Sequence, residues 1–90
     1  MVKVPIRIKR KVSDGNYLIS GHCQDELEEE GFSGRDAIDA ILNAELCDKL
    51  TDDETHIRYR IYGKARDGRD LTVVVLINQA VVVLKTAYEN

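Results

Sequence analysis

The stretch His56-Ile57-Arg58-Tyr59-Arg60-Ile61-Tyr62-Gly63 alternates strictly, and its period of two decides the fold. Successive side chains of a β-strand point to opposite faces, so Ile57, Tyr59 and Ile61 share one face. Arg58, Arg60 and Tyr62 share the other, as a candidate anion-binding surface. Two further strands follow. Leu71-Thr72-Val73-Val74-Val75-Leu76-Ile77 and Val81-Val82-Val83-Leu84-Lys85-Thr86-Ala87-Tyr88 are nearly continuous β-branched and apolar runs. Asp67-Gly68 closes the first hairpin and Asn78-Gln79 the second. The last third of the chain is therefore expected to be a three-stranded antiparallel meander. Its central strand is apolar on both faces, so one face packs under helices and the other is shielded or oligomeric.

Upstream of the meander the period changes. Ser20 is suited to cap a helix over Gly21 to Glu30, whose thin apolar stripe is Cys23 and Leu27. Gly31 fits the left-handed position past its end. Glu28, Glu29 and Glu30 oppose the helix dipole in the last turn, so this helix needs tertiary support. Ser33-Gly34-Arg35-Asp36 reads as a capping box opening a second helix to about Asn43. Ala37, Ile38, Ile41 and Leu42 form its buried face. Thr51-Asp52-Asp53-Glu54 reads as a polar connector. At the start, Val2, Val4, Ile6 and Ile8 alternate with Lys3, Pro5, Arg7 and Lys9, a strand pattern. Pro5 cannot donate to a ladder and puts that strand at a sheet edge. Ser13-Asp14-Gly15-Asn16 is a turn, and Tyr17-Leu18-Ile19 a short extended return. The expected fold is α+β in a single domain, residues 1–90. Two helices pack on an antiparallel sheet of the C-terminal meander plus an N-terminal edge strand or hairpin.

Composition narrows the function classes. Ninety residues bury one modest core. No apolar run approaches the roughly 18 residues of a membrane span, so no membrane partner is expected. No apolar run follows the basic start, so no signal peptide is expected and the location should be cytoplasmic. Cys23 and Cys47 are too few for a disulfide framework and are expected as reduced, buried thiols. The net charge is −3, unevenly spread. Residues 1–12 carry five bases and no acid, residues 20–54 carry twelve acids against Arg35 and Lys49, and residues 55–90 are basic again. A basic sheet face can meet nucleic acid even on an acidic protein.

Few residues can do chemistry. The sequence has no nucleophile elbow, no phosphate-cradling glycine loop and no Cys-x-x-Cys pair. His22, Cys23, Cys47 and His56 match no zinc-ligand spacing, and adjacent His and Cys ligands sit awkwardly in a helix. Neither metal nor cofactor is expected. Thr86 and Tyr88 alternate onto one face of the last strand, but strand register decides whether that is also the face of Arg58.

The order of segments resembles a known family. His22-Cys23-Gln24-Asp25-Glu26-Leu27-Glu28-Glu29-Glu30-Gly31-Phe32-Ser33 precedes an amphipathic helix. Arg58-Tyr59-Arg60-Ile61-Tyr62-Gly63, Val73-Val74-Val75 and Thr86-Ala87-Tyr88 follow it. Together, over about residues 17–89, they resemble the small bacterial family called domain of unknown function 4258. His22, Arg58, Gly63, Thr86 and Tyr88 fit that family's pattern, while Glu30 stands where it carries an arginine. The resemblance implies an architecture similar to RelE-like and BrnT-like toxins of toxin–antitoxin pairs. It further implies a metal-independent endoribonuclease that activates a ribose 2′-OH. His22 would act as acid or base, Arg58 would grip the phosphate, and Thr86 and Tyr88 would orient or donate. Arg60 and Lys85 would bind substrate. RNA and a small antitoxin protein are the implied partners. A reading from a different class is a non-catalytic interaction module, pairing sheet edges with a partner or forming a homodimer.

Overall fold

The period of the N-terminal segment turns out to be helical. Val4, Ile8 and Val12 recur every four residues and are buried, while Ile6 is 71% exposed. The computed structural model, which describes residues 1–51 and 57–90, has a strand β1 of only Val2–Lys3 and then a helix α1 over Ile6–Ser13. This corrects the expected N-terminal strand. Alternation over Val2 to Ile8 fits either period; Val12, one helical step further, decides between them. Pro5 stands just before the first turn, where a missing N–H costs nothing.

Gly15, with a positive φ, ends the turn after α1, and β2 follows at Tyr17–Ile19. Helix α2 spans Gly21–Glu29. The Ser20 hydroxyl accepts the Cys23 N–H at 3.1 Å, and Gly31 takes the left-handed conformation beyond the end. Helix α3 spans Gly34–Asn43 behind a complete capping box. The Asp36 N–H donates to the Ser33 hydroxyl at 3.2 Å, and the Ser33 N–H donates to the Asp36 carboxylate at 2.8 Å. Ala37, Ile38, Ala40 and Ile41 are the buried face of α3, with Leu42 only half-buried. Strand β3 at Leu46–Thr51 is an element the sequence reading left out. Strands β4 at Ile57–Lys64, β5 at Asp70–Asn78 and β6 at Val81–Glu89 form the expected meander. Its turns lie at Gly68 and Gln79, both with positive φ. His56 and residues 52–54 lie outside the described residues.

The protein is α+β; its described residues form three helices rather than two and a six-stranded sheet in the order β1-β3-β4-β5-β6-β2. All neighbours are antiparallel except β2 and β6, which are parallel. The core lies between the helices and one sheet face. Tyr59 and Ile61, Leu71, Val73 and Val75, and Val82, Leu84 and Ala87 project into it. They meet Ile8, Cys23, Leu27, Ile38 and Ile41 from the helices. Helix α3 lies directly on β4 at Gly63, where an added Cβ would stand 1.9 Å from the Ala40 carbonyl oxygen. Among the described residues no helix is long and apolar enough to cross a membrane.

Candidate functional site

Among the described residues no helix packs on the opposite sheet face, and register fixes what stands on it. Directly paired residues share a face. One row runs Leu46, Tyr62, Thr72, Tyr88. The next runs Asp48, Arg60, Val74, Thr86. A third runs Leu50, Arg58, Leu76, Val83, Leu18. Arg58, Arg60, Thr86 and Tyr88, expected from sequence, therefore share the uncovered face. Arg60 is in line with Thr86, and Arg58 stands one row along, with β4 and β6 two strand spacings or ~10 Å apart.

A break in register between Val74 and Val75 places Lys85 and Thr86 together opposite Val74. Such a bulge re-aims side chains beside it. Lys85 is exposed, and Thr86, half-buried, lies on β6 beyond its pairing with β2. There its hydroxyl donates to Glu26 Oε1. The same carboxylate oxygen accepts the Ala87 N–H at 3.2 Å and lies 3.3 Å from His22 Nε2. His22, 71% exposed, thus meets Thr86 through Glu26. Glu30 continues the pattern, accepting the Glu89 N–H at 2.6 Å. Beyond the short β2, the carboxylates of Glu26 in α2 and of Glu30 at its C-cap take N–H groups that the edge of β6 would leave open.

At the centre of the face, Tyr62 donates to Asp48 Oδ2 at 2.5 Å, and Arg60 Nη1 lies 3.8 Å from the same oxygen. The hydrogen bond to Asp48 raises the Tyr62 pKa against the opposing pull of Arg60. The hydrogen bond with Tyr62, with Tyr88 nearby, raises that of Arg60. Among the described residues Arg60 Nε and the hydroxyl of fully buried Thr72 have no hydrogen-bond partner. Thr72 stands between Tyr62 and Tyr88, and Val74 between Arg60 and Thr86. The long flanking side chains thereby shield the central strand that the sequence marked as apolar on both sides.

The two thiols belong to the core. Cys23 and Cys47 are free and buried, and burial pushes the Cys23 thiol up to about 11. Among the described residues no group of three or more His, Cys, Asp or Glu could hold a metal ion. A cleft of about 620 Å³ opens at the strand ends between Asn43, Leu46, Tyr62, Lys64 and Asp70. Of the face's polar residues it reaches Tyr62, Lys64 and Asp70 but not Arg58, Arg60, Thr86 or Tyr88, so the candidate site is the open face and not this cleft.

Sequence reasoning missed two acids. Glu26 was legible as the residue four after His22 on a helix. Asp48 was not, because the strand that carries it went unassigned. The family profile described as domain of unknown function (DUF4258) matches residues 19–89. No curated protein and no solved structure matches the chain.

Proposed function

The chain belongs to the DUF4258 family, a domain of unknown function, and from that premise and the uncovered sheet face we propose a toxin-like, metal-independent endoribonuclease. Strand register carries the reading: it aligns two arginines with the hydroxyls of Thr86 and Tyr88 on one face. An uncovered basic face backed by helices is also what a RelE-like or BrnT-like ribonuclease requires.

In the proposed reaction a ribose 2′-OH attacks the adjacent phosphorus. His22, oriented by Glu26, takes the 2′ proton. The new O–P bond forms as the bond to the 5′ oxygen breaks. Tyr88 donates the proton that the leaving oxygen needs. Arg60 and Arg58 stabilise the phosphorane charge. Lys85 holds the neighbouring phosphate. The products are a 2′,3′-cyclic phosphate and a 5′-hydroxyl, with no external reactant consumed. Arg60 faces Asp48 in the free protein, so phosphate binding competes with that carboxylate.

Purified protein incubated with mixed RNA in excess chelator tests this. Cleavage leaving cyclic phosphate ends is expected, and Tyr88→Phe should slow it about 10²-fold or more. Arg60→Ala should abolish it with the fold intact by circular dichroism. Cleavage unaffected by either change, or absent from the wild type, contradicts the proposal.

A second reading is favoured by one observation. β1 pairs only with Leu46 and Cys47, so among the described residues no strand lies beyond residues 48–51 of β3. An interaction module would add a strand there, from a small antitoxin or a second copy. Stoichiometric complex formation without RNA cleavage would favour it.

A further inference from the structure

Beyond α1 most cations are consumed internally: of eight, Arg35, Arg60, Lys64, Arg66 and Arg69 are ion-paired. Arg66 and Arg35 reach Asp39 at 2.7 and 3.3 Å, Lys64 reaches Asp70 at 2.7 Å, and Arg69 reaches Asp67 at 2.8 Å. The N-terminal segment differs. Among the described residues Lys3, Lys9, Arg10 and Lys11 make no ion pair, in a chain that carries sixteen acids. Ile8 and Val12 pin one side of α1 to the core. At 100° per residue, Arg10 stands opposite that side, Arg7 is about 60° from it, and Lys9 and Lys11 lie about 100° to either flank. Ionised side chains without an ion pair around the solvent-facing surface of a helix make a local positive field on a protein of negative net charge.

We propose that α1 is a second RNA-binding surface, gripping phosphates without regard to sequence. It lies on the helical layer, apart from the open face and outside the matched residues 19–89. It extends the ribonuclease reading but does not depend on it. Three observations favour RNA as the occupant. The free charge is positive and spread along the helix, as a polyanion backbone requires. On α1, Ile6 is the one exposed large apolar side chain, too little to anchor in a lipid surface. Arg7 donates to the Tyr59 hydroxyl at 3.1 Å, and with Ile57, Ile77 and Gln79 these two residues line a groove at the end of the sheet. Ile57 directly precedes Arg58, so a strand leaving Arg58 on the open face turns around this end to reach α1.

The test uses fluorescence anisotropy with labelled single-stranded 2′-O-methyl RNA, which has no 2′-OH to attack and cannot be cleaved by the proposed route. Wild type is compared with Lys9→Gln/Arg10→Gln/Lys11→Gln, which keeps good helix formers at surface positions. A control, Arg35→Gln/Lys64→Gln/Arg66→Gln, removes the same charge from paired sites elsewhere. Each lost phosphate contact on a single strand reduces the salt slope of log K by about 0.7, so the α1 variant should lose about 2. The control should keep the wild-type slope, and cleavage of saturating natural RNA by the α1 variant should be unchanged. Equal loss in variant and control overturns the proposal, as a net-charge effect. Low-salt self-association that the α1 variant abolishes, without any RNA effect, also overturns it, making the acidic α2 of a second copy the occupant. Retained α1-dependent binding in a wild type that cleaves no RNA supports this surface while rejecting the ribonuclease.

Discussion

Gly63 and Thr72 show how much a single side chain decides here. A Cβ on Gly63 would meet the Ala40 carbonyl oxygen at 1.9 Å, and backbone cannot yield as a flexible side chain does. Gly63→Ala should therefore destabilise by about 3 kcal/mol or more in chemical denaturation. A change under about 0.5 kcal/mol would show that α3 does not press on β4 there. Thr72 has its hydroxyl buried without a partner among the described residues. Thr72→Val keeps the shape and removes an unsatisfied group, so stabilisation by about 1 kcal/mol is expected. A clear loss of stability would mean the hydroxyl is bonded. The Asp36 carboxyl titrates below its ordinary 3.8, chiefly because it accepts the Ser33 N–H. A lowered folded pKa gives stability that is present above the unfolded pKa and lost as pH falls through the folded one. Asp36→Ala should cost about 1 kcal/mol near neutrality, as a lost cap does. That deficit should shrink below about pH 4, where the wild type also loses the charge. A deficit independent of pH would contradict the capping account. The candidate residues were legible at this scale as residue types. Glu26 was passed over because its role comes from a strand sixty positions away.

Elements were legible where local chemistry is strong. Ser20, Gly31, the Ser33 and Asp36 box, Gly68 and the alternation of β4 each act within a few residues, and each was read correctly. The misread element was α1, where seven residues carry two periods at once and the deciding residue, Val12, lies beyond them. Strand β3 escaped because Leu46-Cys47-Asp48-Lys49-Leu50-Thr51 mixes polar and apolar residues on both faces. The edge of β6 is an element-scale device in which α2 supplies the carboxylates that a further strand would replace. Glu26→Ala leaves the Ala87 N–H and the Thr86 hydroxyl without their acceptor. A cost of about 1–3 kcal/mol is expected, and faster amide exchange at Ala87 should accompany it. Unaltered exchange would show that another group covers that edge. The same logic explains Glu30, whose carboxylate holds the Glu89 N–H where an arginine could not accept it.

For the molecule as a whole, sequence established the α+β class and the helical backing, but not the register. Alternation assigns faces within a strand, and only pairing joins the faces of β4 and β6 into one surface. That surface joins two arginines, two tyrosines and Thr86, and holds Asp48 as its internal competitor. The account stands or falls on whether RNA occupies it. An amide and side-chain NMR titration of the wild type with 2′-O-methyl RNA measures this most directly. The expected result is saturable, salt-sensitive perturbation of Arg58, Arg60, Tyr62, Lys85, Thr86 and Tyr88, with loss of the Tyr62 hydrogen bond to Asp48. Perturbation confined to α1, with the outward residues of β4 and β6 unchanged, would contradict the sheet-face site.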